Sequence, residues 1–192
     1  MNLSSNSPKP WKVLESKRIF DEPWLNVRQE KMEMHDGKIV PNYYVLDYDN
    51  WVNIIAITKD DKFVMVEQYR HGIEKVCMEI CAGVIEKSDT SLLVAAQREL
   101  LEETGYGKGT WTEFIKLAPN ASACSNYSTC FIARDVELIS DHQTLDDSED
   151  LAVHLFSYEE IKQMLYNGEI LQATMAAPLW KYIYEHENKQ QI

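Results

Sequence analysis

The stretch Gly83-Val84-Ile85-Glu86-Lys87-Ser88-Asp89-Thr90-Ser91-Leu92-Leu93-Val94-Ala95-Ala96-Gln97-Arg98-Glu99-Leu100-Leu101-Glu102-Glu103-Thr104-Gly105-Tyr106 decides how the rest of this chain is read. A helix over about residues 90–104 places Glu99, Glu102 and Glu103 at i, i+3 and i+4, so the three carboxylates share one face. Like charges that close destabilise an isolated helix. A cation between them removes the penalty, and a site made of oxygen atoms suits a hard divalent ion, Mg²⁺ above all. The pattern points to metal-assisted chemistry on phosphates. The ordinary alternative is a solvated Glu-rich helix with Arg98 and Glu102 as an i, i+4 ion pair. The context weighs against it: Gly83 lies upstream, an apolar face runs through Leu93, Ala96 and Leu100, and Gly105 stands where a helix C-cap belongs.

The stretch resembles the Nudix box, Gly-x5-Glu-x7-Arg-Glu-U-x-Glu-Glu-x-Gly-U, with U a bulky apolar residue. From Arg98 to Gly105 every fixed position matches, Leu100 is the first U and Tyr106 the second. Upstream there are two departures. Asp89 stands where the pattern has Glu, and residues 84–97 number fourteen where the pattern has thirteen. The extra residue is most simply placed in the loop between Gly83 and the helix, which leaves the metal-binding half intact.

At 192 residues the chain is long enough for one well-buried domain with a small appended element. Its 45% hydrophobic and 26% charged residues are those of a globular protein. A net charge of −12 with no basic stripe argues against a nucleic-acid partner. No run approaches the roughly 18–20 apolar residues of a membrane span. Residues 1–10 lack the apolar stretch of a signal peptide and read as a flexible tail, so the expected compartment is the cytoplasm. There Cys77, Cys81, Cys124 and Cys130, which have no zinc-ribbon spacing, are expected to be free buried thiols.

Strand character at residues 11–20, 24–34 and 39–48, with a turn at Asp36-Gly37, predicts an antiparallel meander over 11–48. The remainder, 49–192, reads as a catalytic domain. Its strands fall at 52–58, 62–69, 76–81, 110–118, 127–136 and 151–156. Helices are predicted at about 90–104, 157–167 and 172–187, with a glycine loop starting at Gly83 and a polar acidic loop over 137–150. Alternating strands and helices with mixed connections predict an α/β sandwich. The Nudix resemblance implies the same fold class: an α/β/α sandwich around a mixed sheet, here preceded by the small antiparallel meander.

The resemblance also implies site roles. Glu99 and Glu103 would be the principal Mg²⁺ ligands, with Mn²⁺ as a substitute ion. Glu102 would support them or bind a further ion, the carbonyl of Ala82 would be another ligand, and Arg98 would hold a box carboxylate in place. The stretch Gln68-Tyr69-Arg70 followed by Glu79-Ile80-Cys81-Ala82-Gly83 is similar to the ADP-ribose pyrophosphatase branch of the family. Arg70 then matches a substrate-contacting arginine, suited to bidentate phosphate recognition, and Glu79 a carboxylate beside the metals or substrate. Cys81 replaces the usual proline and is expected to be structural. The acidic loop would supply the base, Glu149 first and Asp150 second. Ser-Ala-Cys at 122–124 departs from the Ser-Pro-Gly-like turn of that branch, so the sugar is left open. Trp24 and Trp51 are candidate stacking platforms for a base, core or interface packing being the alternative for each. The meander would mediate a homodimer, since three strands with little core need something to pack on.

The activity implied is Mg²⁺-dependent hydrolysis of the pyrophosphate bond of ADP-ribose or a related nucleoside diphosphate sugar, giving a nucleoside monophosphate and a sugar phosphate. The alternatives are a Nudix module that binds nucleotide sugars without cleaving them, and an α/β domain whose glutamate cluster is incidental.

Overall fold

A computed structural model describes residues 7–146 and 149–189, which fall into two compact units. The first holds the described residues up to Asp49 together with Asn120–Asn126. Its strands β1 (Lys12–Glu22), β2 (Leu25–Glu33) and β3 (Ile39–Leu46) form an antiparallel sheet in sequential order. Gly37 closes the second hairpin at φ +83°, a conformation that favours glycine. The 120–126 segment joins this unit through a parallel bridge between Leu46 and Cys124, and through hydrogen bonds from Leu46 N–H to Ala123 O and from Ser125 N–H to Leu46 O. Its sequence, small residues with no β-branched or aromatic side chain, gives no sign of that attachment.

The second unit is built on a mixed seven-stranded sheet. Its strands are β4 (Trp51–Thr58), β5 (Phe63–Arg70), β6 (Lys75–Val84), β7 (Tyr106–Gly107), β8 (Thr110–Leu117), β9 (Ser128–Leu138) and β10 (Leu151–Phe156). The order is β10-β5-β6-β4-β9-β7, with β8 on β9. β4 and β9 run parallel while the other pairs run antiparallel. Helix α1 (Leu92–Thr104) follows β6, and α2 (Tyr158–Asn167) and α3 (Ala173–Lys189) follow β10.

The near-continuous apolar run of β4 explains the layering. Successive strand residues point to opposite faces, and here both faces are covered. Ile55 and Ile57 enter a cluster with Ile161, Leu179 and Ile183 of α2 and α3, whereas Val52, Ile54 and Ala56 enter a cluster with Ala95, Ala96 and Leu100 of α1. The result is an α/β/α sandwich. No helix among the described residues is long and apolar enough to cross a membrane.

Local chemistry sets the helix ends. The Ser91 hydroxyl accepts a hydrogen bond from Val94 N–H and caps α1, which Gly105 ends at φ +73°. Ser157 and Glu160 form a capping box on α2. Three expectations are corrected. Leu93 is exposed: the buried side of α1 is Ala95, Ala96, Glu99, Leu100, Glu103 and Thr104, because the helix turns its carboxylates toward the sheet. Gly83 lies inside β6, paired with Val52, and does not open a loop. Cys77, Cys81 and Cys130 are buried free thiols as expected, but Cys124, on the 120–126 segment, is only partly buried.

Leu179 is fully buried between α3 and the sheet. Leu179→Ala is expected to lower unfolding free energy by about 2–5 kcal/mol in urea titration, the usual cost of such a cavity. A loss below about 1 kcal/mol would mean that this interface is not packed as described.

Candidate active site

Helix α1 brings its acidic residues to the sheet in two orientations. Glu99 and Glu103, one turn apart, are buried against β6, while Glu102 points sideways and remains partly exposed. Room for Glu99 comes from Gly83. A Cβ on that residue would lie 2.0–2.2 Å from the Glu99 carboxyl atoms, so the box glycine is required for space, not for its φ. Glu103 Oε2 accepts a hydrogen bond from Ala82 N–H at 3.2 Å, which ties the second carboxylate to the same strand.

Burial pushes the Glu99 carboxyl up to about 7, with the Glu102 and Glu149 charges adding to the rise and Arg98 opposing it. Burial likewise pushes Glu103 up to about 8, assisted by the charges of Glu99 and Glu149 and offset in part by the Cys81 thiol and Ala82 N–H. Two carboxyls held as neighbours with pKa values this high form a donor set that a divalent cation would relieve.

Arg98 is consumed by the protein. Nε and Nη2 donate to the two oxygens of Asp89 at 3.2 and 2.9 Å, and Nη2 also donates to Val84 O at 3.1 Å. Nη1 lies 2.8 Å from Glu102 Oε2 and 2.9 Å from Glu99 Oε1. Asp89 accepts this fork and is held below the ordinary carboxylate range chiefly by it. The shorter acid is therefore accommodated ahead of the α1 cap at Ser91, and Asp89 N–H donates back to Glu86 O.

Arg70, at the end of β5, makes a second fork. Its Nε and Nη2 donate to Glu79 Oε1 and Oε2 at 3.0 and 2.6 Å. Glu79 is fully buried, and the Gln172 amide, with its nitrogen assigned to the carboxylate side because only acceptors face it there, would donate to the same two oxygens at 2.9 and 3.2 Å and accept from Thr174 Oγ1 at 3.2 Å. The Glu79 carboxylate is thus enclosed by donors and serves as the buried counter-ion of Arg70. Among the described residues Nη1 of Arg70 has no partner, and the side chain is 39% exposed. The outer edge of the guanidinium is free to meet an anion, and Arg70 also feels the charge of Glu103. Gln172, between α2 and α3, has no signal in the sequence, because an isolated loop amide does not reveal which carboxylate it will meet.

Glu149, late in the acidic loop, is near enough for its charge to reach this pair. Its Oε2 accepts from Asp146 N–H at 3.0 Å, and its charge acts on Glu99, Glu103 and Cys81. Asp147 and Ser148 of the acidic run lie outside the described residues, and Asp150 is exposed. Burial raises the Cys81 thiol well above its ordinary value, which leaves it neutral. Trp51 opens β4, paired through its backbone with Val84 and Ser128. Trp24 belongs to the other unit, in the turn after β1, where it is 81% exposed.

Gly83→Ala puts a methyl group where the Glu99 carboxylate sits. The expected result is a loss of Mn²⁺ affinity of about tenfold or more, read by titration, as for other changes that displace a ligand. Unchanged affinity and an unchanged rate would show that Glu99 does not need this space.

A family model described as the NUDIX domain matches residues 48–177, and one described as the nucleoside diphosphate sugar hydrolase N-terminal domain matches residues 11–46. The chain is 26% identical over 165 residues to an ADP-ribose pyrophosphatase of Bacillus subtilis (strain 168), covering 86% of this chain and 88% of that one. It is 29% identical over 159 residues to the methanol dehydrogenase activator of Bacillus methanolicus, covering 83% and 85%. A crystal structure of an ADP compounds hydrolase has the same fold, with a TM-score of 0.80 at 22% identity over 97% of this chain and 98% of that one. Enzymes of the NUDIX type generally use a divalent metal, and the buried Glu99–Glu103 pair has the chemistry to hold one. With the box carboxylates in place on α1 and the domain matched across most of the chain, this protein belongs to the NUDIX family and is a Nudix hydrolase.

Proposed function

We propose that the protein hydrolyses the pyrophosphate bond of ADP-ribose or a related nucleoside diphosphate sugar, with Mg²⁺ as its working ion. The observation that carries this reading is the buried Glu99–Glu103 pair, on which the charge of Glu149 acts, together with Arg70, whose outer edge has no partner among the described residues. The relative named an ADP-ribose pyrophosphatase and the match at residues 11–46 support the substrate class.

Glu99 and Glu103, with Ala82 O, would hold the ion. Among the described residues no three His, Cys, Asp or Glu side chains form a ready-made cage. Mg²⁺ is commonly held by one or two carboxylates, with water and substrate phosphate completing its shell. Bound there, the ion supplies charge neutralisation at the pyrophosphate. The chain's own residues divide the rest of the work. Arg98 braces Glu99 and Glu102 against Asp89. Arg70, fixed along its inner edge by Glu79, presents Nη1 to a phosphate oxygen. Glu149 accepts a proton from the attacking water as its oxygen bonds to phosphorus and the bridging P–O bond breaks, leaving a nucleoside monophosphate and a sugar phosphate. This assigns Glu79 to positioning, in place of direct substrate or metal contact.

The same proposal includes cytoplasmic residence, a base stacked on Trp24 or Trp51, and a homodimer through the three-stranded sheet. Phe20, Leu25, Ile39 and Tyr44 are exposed on that small sheet, which is apolar surface a second copy would cover.

Purified protein with Mg²⁺ should release nucleoside monophosphate from at least one compound in a panel of ADP-ribose, other nucleoside diphosphate sugars and nucleoside triphosphates. Glu103→Gln and Glu149→Gln are each expected to lower kcat by about 100-fold or more. Tight binding of intact ADP-ribose with no turnover would favour a binding module, and full activity in Glu103→Gln would refute the site.

A further inference from the structure

The segment leading to Glu149 is docked on the carbonyl end of α1. The last carbonyls of a helix have no partner within it. Here the segment after β9 supplies them. Thr144 N–H donates to Glu102 O at 2.9 Å, and Gln143 Nε2 donates to Glu103 O at 2.5 Å. Just past the helix, Ile139 and Ser140 N–H donate to Gly105 O at 2.9 and 3.1 Å. A Cβ on Gly105 would lie 2.3 Å from Ser140 O, so this glycine both caps the helix and lets the segment approach.

The docked residues lead directly to Glu149. Glu149 N–H donates to Asp146 O at 2.9 Å, and Asp146 N–H donates to Glu149 Oε2 at 3.0 Å. The second arm of the loop returns at Leu151, whose carbonyl lies 3.5 Å from the same Gln143 nitrogen. A primary amide has two N–H donors. At Gln143 one goes to the helix end and the other, more weakly, to the start of β10. Both neighbours are acceptors, so glutamate at 143 would face them with lone pairs, and methionine would fill the space and donate nothing.

We propose that Gln143 is a positioning residue that fixes Glu149 beside Glu99 and Glu103 by tying both arms of its loop to the end of α1. The inference rests on the reading of Glu149 as the base. It gives the second half of the box a role apart from metal binding: the backbone carbonyls of Glu102 and Glu103 anchor the loop that carries the base, while the Glu103 side chain faces β6 and that of Glu102 pairs with Arg98.

The test compares wild type, Gln143→Met, Gln143→Glu, Glu149→Gln and the Gln143→Met/Glu149→Gln double variant. It reads amide hydrogen exchange over 139–151, kcat, KM, Mn²⁺ affinity and Tm. Wild type should show residues 139–146 protected like the last turn of α1. Gln143→Met should release that protection with α1 unchanged and lower kcat about tenfold or more, a loss typical of a slightly misplaced catalytic group. KM and Mn²⁺ affinity should stay within about twofold. Against Glu149→Gln the double variant should lose little more, since Gln143 acts through Glu149. Gln143→Glu carries the same expectations should Gln143→Met fail to fold. Free-chain exchange of 139–146 in wild type, a Gln143→Met kcat within about twofold of wild type, or fully additive losses in the double variant would overturn the proposal. A wild type without turnover on any compound of the panel would end the proposed function instead, and the exchange readout would then decide the docking alone.

Discussion

Everything at this site depends on one unfavourable arrangement, two glutamates a helical turn apart pressed into a buried crevice. Glu99 and Glu103 could have been solvated on the outer face of α1. The apolar residues beside them, Ala95, Ala96 and Leu100, pack into the core of the sandwich and fix the rotation of the helix. The carboxylates then have no choice but to face β6. Gly83 gives them space, Ala82 N–H gives one hydrogen bond, and Arg98 neutralises only one side. The remaining electrostatic cost is what a bound cation would offset.

A common device surrounds that pair. Two arginines are each gripped along an inner edge by a carboxylate, Arg98 by Asp89 and Arg70 by Glu79, so that neither has to be ordered when a ligand arrives. The two forks differ in outcome. Arg98 spends its remaining donors on Glu99 and Glu102, whereas Arg70 keeps a free edge. One arginine belongs to the scaffold of the glutamate crevice and the other keeps an edge toward solvent. Sequence spacing alone cannot make that distinction, because it depends on what lies across the fold.

Much of the fold was legible beforehand. The continuous apolar run at 52–58, the Asp36-Gly37 turn and the glycine at 105 placed strands and a helix end within a residue or two, because each signal is local. The carboxylates of the box were legible for the same reason. Other features were not. Leu93 looked like part of the buried stripe, yet helical spacing does not say which side of an amphipathic helix the sheet will take when that side also carries glutamates. Gly83 looked like a loop glycine, though its purpose is clearance for a side chain sixteen positions later. Gln143 and Gln172 are ordinary polar residues until the chain folds, when each becomes a donor to a group distant in sequence. The attachment of 120–126 to the N-terminal sheet was hidden for the same reason.

Burial, not sequence identity alone, is what would make these carboxylates a cation site under the proposed function. Glu99 and Glu103, raised to about 7 and about 8, still hold protons near neutrality in the metal-free protein. Their folded values lie above the ordinary 4.5, so the metal-free fold loses stability as pH rises from about 4.5 to about 8, and a cation that displaces the protons should reverse that loss. The most direct measurement is Mn²⁺ titration of the metal-free protein in weakly buffered solution at pH 7, counting released protons and repeating the affinity at pH 6 and 9. Release of on the order of one proton per chain, with affinity climbing through this range, is the expected result. Binding without proton release, at an affinity that does not change between pH 6 and 9, would contradict it.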